Sequence, residues 1–246
     1  MRARSSGRVR RVADSPHVRE QQKGDTMKQI GARRVGAVTA ALVLGLVAAA
    51  PPASAANPAG VASVGSADFT KAGTRVTVLP LAPCAVGGTP SNSSEAVSRR
   101  GVRFGPGTSS CTTAVVDPDN GTTTSTSEAT GTDFELSALV SVGGPRLRVA
   151  RWKVTCTGTV SGTNAGWAAD GLQGFDGLPE QIAPNHVHEV KAGDGTLLAT
   201  ATFGETVFPE PNDGSVAMNL LHLRFTEAST ISGDVVLGAT ACSPTP

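Results

Sequence analysis

The stretch FELSALVSVGGPRLRVARWKV, residues 134–154, decides the fold. Phe134, Leu136, Ala138, Val140 and Val142 alternate with Glu135, Ser137 and Ser141, the period-two pattern of a strand with one buried face. Gly143-Gly144-Pro145 turns the chain, and a second run from Leu147 to Val160 answers the first. Pairing about that turn sets Phe134 opposite Val154, Leu136 opposite Trp152 and Ala138 opposite Ala150 on a buried face, with Glu135 opposite Lys153 on the other. A register one residue away would bury Lys153.

The same texture continues on both sides. Short apolar runs separated by Gly, Pro, Asn and Asp clusters predict strands over 74–79, 99–104, 112–116, 132–142, 147–160, 186–191, 196–203, 216–225 and 233–239. Almost nothing has the 3.6-residue period of a helix. The expectation is an all-β chain, a single β-sandwich or jelly-roll-like domain of about nine strands over residues 66–246, with residues 56–65 as a flexible lead-in.

The segment from Met27 to Ala55 reads as a secretory signal peptide: Lys28, Arg33 and Arg34, an uncharged run from Val35 to Ala50, then Ala53 and Ala55 as the small residues before a cut. Residues 1–26 are polar and Arg-rich and read as untranslated or disordered, with Met27 as the start. The apolar run is shorter than the roughly 20 residues a membrane span needs, so no stable span is expected after cleavage. The product is expected outside the cell.

Residues 1–55 hold 10 Lys+Arg against 3 Asp+Glu, whereas residues 56–246 hold 11 against 17, a net charge of −6. That excludes a nucleic-acid binder, which needs surplus cations to displace phosphate counterions. The chain is 246 residues long, 39% hydrophobic and 17% charged, with no Tyr, which excludes fibrous and polytopic membrane classes. Cys84, Cys111, Cys156 and Cys242 all follow the leader, as suits an oxidising compartment. Of the three possible pairings, Cys84 with Cys111 and Cys156 with Cys242 is favoured. The first two share a Gly/Ser/Pro-rich region, and the last two end strand-like runs.

Candidate chemistry is sparse. His186 and His188, two apart on a strand, would leave one face, and with His222 they are the candidate metal ligands. Asp117-Pro-Asp119-Asn120-Gly121 resembles a calcium loop but lacks its bidentate Glu, and reads as a turn. Asp133 and Glu135 would project from one face as the carboxyl pair of a polysaccharide hydrolase, though few aromatics are present to line a cleft. Arg146, Arg148, Arg151 and Lys153 form a basic stripe able to touch an anionic wall polymer, or solvated residues balanced by acids. No nucleophile elbow appears, and no cofactor is expected.

The segment Ser215-Val-Ala-Met-Asn219-Leu-Leu-His222-Leu-Arg-Phe225, followed by Ile231-Ser-Gly233-Asp234-Val-Val236-Leu-Gly238, resembles the closing strands of the choice-of-anchor P proteins of high-GC Gram-positive bacteria. The resemblance runs from about Ser63 onward and implies an exported β domain without assigned activity, with Asn219, His222 and Asp234 as family-pattern positions. On the alternation alone, Met218, Leu220 and His222 should share one face and Leu221, Leu223 and Phe225 the other. The expected function is a secreted, non-catalytic β-sandwich acting by binding or structural presence, with a cell-envelope polymer or other extracellular ligand as partner. The hydrolase and the His-based metal protein are the alternatives.

Overall fold

The computed structural model describes residues 57–245; residues 1–56, which include the segment 27–55 read as a signal peptide, and Pro246 lie outside them. Fourteen strands follow in order: β1 Gly60–Lys71, β2 Thr74–Leu81, β3 Cys84–Ala85, β4 Ser91–Ser94, β5 Val97–Arg99, β6 Val102–Phe104, β7 Gly107–Asp117, β8 Thr122–Leu136, β9 Leu147–Thr159, β10 Gly162–Asp170, β11 His186–Lys191, β12 Leu197–Val207, β13 Val216–Phe225 and β14 Ile231–Cys242. They form two antiparallel sheets packed face to face, a β-sandwich. Sheet A runs β11-β12-β13-β14-β1-β2, with β3 beside β1. Sheet B runs β10-β9-β8-β6-β5, with β7 also on β8 and β4 on β7.

The decisive hairpin forms, but in another register. Phe134 pairs with Val149, Leu136 with Leu147 and Glu135 with Arg148. The reason is local: residues 138–142 leave the strand as a 3-10 turn that buries Ala138 and Leu139, so the connection is longer than Gly143-Gly144-Pro145 alone. Val154 and Trp152 still face the core, now opposite Ala129 and Gly131. Residues 60–65, expected as lead-in, are the first half of β1, which lies between β14 and β2 in the interior of sheet A.

Both cysteine pairs form as expected, and both tie one sheet to the other. Cys84 of β3 joins Cys111 of β7, and Cys156 of β9 joins Cys242 of β14. Between the sheets lie Phe69, Phe203, Leu220, Leu221, Leu223 and Leu237 from one side and Phe104, Phe134, Leu136, Trp152 and Val154 from the other.

Sheet A carries a line of irregularity across its strands. The ladder β12-β13-β14 skips Gly204, Leu220 and Gly238, which stand level with one another. Gly204 has φ 55° and Gly238 φ 62°, the left-handed region that L side chains adopt at a cost. Each glycine also makes room for a tryptophan of sheet B. A Cβ on Gly204 would lie 2.2 Å from Trp167 Nε1, and one on Gly238 2.8 Å from Trp152 Cζ3. At this line the alternation shifts by one, so that Leu220 and Leu221, adjacent in sequence, both enter the core.

Candidate functional site

The shift of alternation builds a hydrogen-bonded polar array. Asn219 and His222 of β13, Glu205 of β12 and Asp234 of β14 meet on the outer face of sheet A. His222 Nδ1 lies 2.6 Å from Glu205 Oε2, and Nε2 lies 2.9 Å from Asp234 Oδ2. Asn219 Nδ2 donates to Glu205 Oε2 at 2.9 Å, and the Arg224 guanidinium donates to Glu205 Oε1. Glu205 is the hub, with a side chain 14% exposed, whereas that of Asp234 is 44% exposed.

A neutral imidazole has only one N–H, so both carboxylate contacts of His222 are hydrogen bonds only when the ring carries its second proton. Burial pushes the Glu205 carboxyl up, but the bonds from Asn219, Arg224 and His222 outweigh it and hold the group below its ordinary range. What the arrangement can do chemically is hold a fixed pattern of charge. Every ring nitrogen is occupied and no hydroxyl or thiol nucleophile bonds to His222, so the acid–base relay of a hydrolase is absent from it.

Next to the array the same face is apolar. Val207, Ala217, Ala241, Val61 and Ala85 form one continuous cross-strand row, and the adjoining row is Glu205, Asn219, Ala239 and Ser63. A cavity of about 600 Å³ opens over the β13, β14, β1 and β3 members of these rows, rimmed by Pro58, Pro80 and Pro83, with no ionisable side chain in its lining. Asn219 borders both the cavity and the array.

The other sequence candidates lie elsewhere. His186 and His188 stand opposite Phe203 and Ala201 on the inward side of edge strand β11, whereas His222 stands opposite Thr202 on the outward side. The three histidines therefore do not converge. His188 packs its ring 5.9 Å from Phe175, where burial, with His186 beside it, lowers its affinity for a proton. No group of three or more His, Cys, Asp or Glu among the described residues is placed to hold a metal. Asp117 accepts from the backbone N–H of Asp119 and Asn120 and from the Asn120 amide, so the calcium-like segment is a closed turn between β7 and β8.

Glu135 meets Arg146 and Arg148 instead of Lys153. Burial raises its carboxyl, but the two guanidiniums outweigh that and hold it low, which is the reverse of what a general acid needs. Lys153 pairs with Glu128 and Arg151 with Asp170, so each member of the basic stripe has an acidic partner. Trp152 is buried and Trp167 is partly buried against the core, so neither stands out as an exposed aromatic platform for a sugar.

Glu205 and Arg224 are the residues the sequence reading missed. The available signal was a charged residue directly after a glycine inside an apolar run, Thr202-Phe203-Gly204-Glu205, the pattern of an interrupted strand. Comparison with protein-family models, with curated proteins and with solved structures found no match to this chain.

Proposed function

We propose that this is an exported protein whose β-sandwich acts outside the cell by binding, without catalysis, and that its partner is a polymer of the cell envelope or another extracellular ligand. The observation that carries the reading is the outer face of sheet A, where an uncharged cavity adjoins an array in which each ionisable group is already paired. Preformed, mostly apolar concavities with a few fixed polar groups are how proteins hold ligands. Two further features support export: a leader-like segment at residues 27–55 and two disulfides between the sheets. Membership of the choice-of-anchor P group is part of the proposal. Its support is that Asn219, His222 and Asp234, the positions carrying the resemblance, share one hydrogen-bonded array.

The test is co-sedimentation of the disulfide-bonded protein with purified envelope fractions, beside an Ala217→Trp variant that fills the cavity. Binding by the native protein and its loss in the variant, with an unchanged melting temperature, is the expected result. Absence of binding to every fraction overturns the reading, and so does turnover of any of these polymers by the protein.

A further inference from the structure

We infer that a second site, a polar cleft of about 310 Å³ on the outer face of sheet B, takes one carboxylate-bearing sugar residue, a uronic acid. It goes beyond the binding reading for sheet A and stands on different residues. The cleft opens where β8 and β9 part. Thr132 pairs with Arg151 and Phe134 with Val149, but Asp133 and Ala150 between them are skipped by the ladder. Asp133 sits there at φ 51°, a conformation uncommon outside glycine and met more often in Asp and Asn than in other residues. Arg103 of β6 stands opposite Glu135. Gln173, in the segment after β10, exchanges two backbone hydrogen bonds with Arg148 at 2.9 and 3.0 Å. Side chains from β6, β8, β9 and this segment thus converge on one cavity.

The charges there are not all consumed. Glu135 is held by Arg146 and Arg148. Arg103 has no acidic partner among the described residues, and Asp133 bonds only to the Thr132 hydroxyl, at 3.1 Å. The lining itself holds two guanidiniums and two carboxylates. Arg146, bonded to Glu135 from outside the lining, adds a third guanidinium, and the cluster as a whole then has an excess of one positive charge that a monoanion balances. A guanidinium matches a carboxylate with two parallel N–H donors, while the Asp133 carboxylate and the Gln173 amide match hydroxyls. A uronate carries both functions on one ring. A neutral hexose leaves Arg103 unanswered, and a zwitterionic amino acid leaves the excess charge. The cleft lies at the small end of ligand cavities, about 300–1,000 Å³, which suits a single ring.

The test is a nuclear magnetic resonance titration of the disulfide-bonded protein with glucuronate, glucose, acetate and glycine as separate probes. Glucuronate is expected to shift the amide signals of Arg103, Asp133 and Gln173 more strongly than any other probe. Arg103→Ala should weaken it about tenfold, the loss of one charge-assisted pair. Asp133→Gly, which keeps the positive φ, should weaken it as well, and Arg151→Ala, outside the cleft, should not. Matching melting temperatures establish that the variants fold. Equal binding of acetate or glycine, no response to glucuronate, or indifference to Arg103→Ala overturns the inference. A native protein that binds envelope fractions and ignores glucuronate loses this site and keeps the proposal for sheet A. One that binds glucuronate and no envelope fraction does the opposite.

Discussion

Asn219 and His222 stand three residues apart on β13, yet both leave the outer face of sheet A and both reach Glu205. On a regular strand such a pair leaves opposite faces. The skipped position at Leu220, level with Gly204 and Gly238, changes the parity and brings the two side chains together. The site is therefore a consequence of the same irregularity that admits Trp152 and Trp167 to the core. Packing between the sheets and the polar array outside are two faces of one kink.

Alanine at either glycine of the kink should cost stability. At Gly238 and Gly204 the left-handed backbone costs about 1–2 kcal/mol for an L side chain, and displacing a packed tryptophan adds about 1–3 kcal/mol. Gly73, at φ 73° with open space around its Cβ position, should show the first contribution alone. Urea unfolding of the three variants, with tryptophan fluorescence as probe, checks the ranking. Equal losses at Gly73 and Gly238 would refute the packing part of the account.

Within the array, Glu205 should matter more than Asp234. Glu205→Ala leaves Asn219, His222 and Arg224 without their common acceptor at a side chain 14% exposed, a loss of about 1.5–3 kcal/mol for charged hydrogen bonds. Asp234, at 44% exposure, is screened by water, so Asp234→Ala should cost under about 1 kcal/mol. Chemical denaturation at neutral pH measures both.

Much of the fold was legible because apolar alternation reports burial directly. The two halves of β13, Val216 to Leu220 and Leu221 to Phe225, each carry that pattern, and the cysteine pairing followed from the neighbourhoods of the four cysteines. What the sequence hid are strands whose facing residues are small or hydroxylic. Thr122 to Gly131 and Gly162 to Asp170 bury little apolar bulk, so no alternation announces them. The hairpin register failed because Ala138 to Val142 keep the alternation of a strand while folding as a 3-10 turn. The site was half visible. Asn219, His222 and Asp234 were marked by a resemblance, but a parity shift three strands wide depends on glycines whose shared level only the sheet reveals.

Acid should weaken the protein in a defined window. The Glu205 and Glu135 carboxyls are each held below their ordinary value of 4.5 in the folded state. Such groups contribute stability that is fully present above the unfolded value and is lost as pH falls through the folded one. His188, held below its ordinary 6.5, acts in the same direction, since the unfolded chain takes up its proton first. Stability should therefore decline as pH drops below about 6.5 and more steeply below about 4.5. Glu205→Gln should flatten the lower part of the curve, and His188→Phe the upper part. Denaturation midpoints from pH 3 to 8 measure this; a Glu205→Gln curve parallel to the native one would contradict it.

The two disulfides should differ in worth. Cys156 and Cys242 are 86 residues apart and Cys84 and Cys111 only 27. By loop-closure entropy the longer bridge restrains the unfolded chain by about 4.5 kcal/mol and the shorter by about 3.5 kcal/mol. Each also holds sheet A against sheet B at a different place. Cys156 and Cys242 pack with Val216 at one end of β13, while Cys84 lies in β3, a two-residue strand paired with β1. Replacing Cys84 and Cys111 together by Ser should thus release β3 locally and lower the melting temperature moderately. Replacing Cys156 and Cys242 should lower it further and loosen the end of β14 beside the sheet A cavity. Hydrogen exchange separates the two outcomes: the first variant should lose protection at Cys84–Ala85 and the facing part of β1, and the second at Val216 and the last residues of β14.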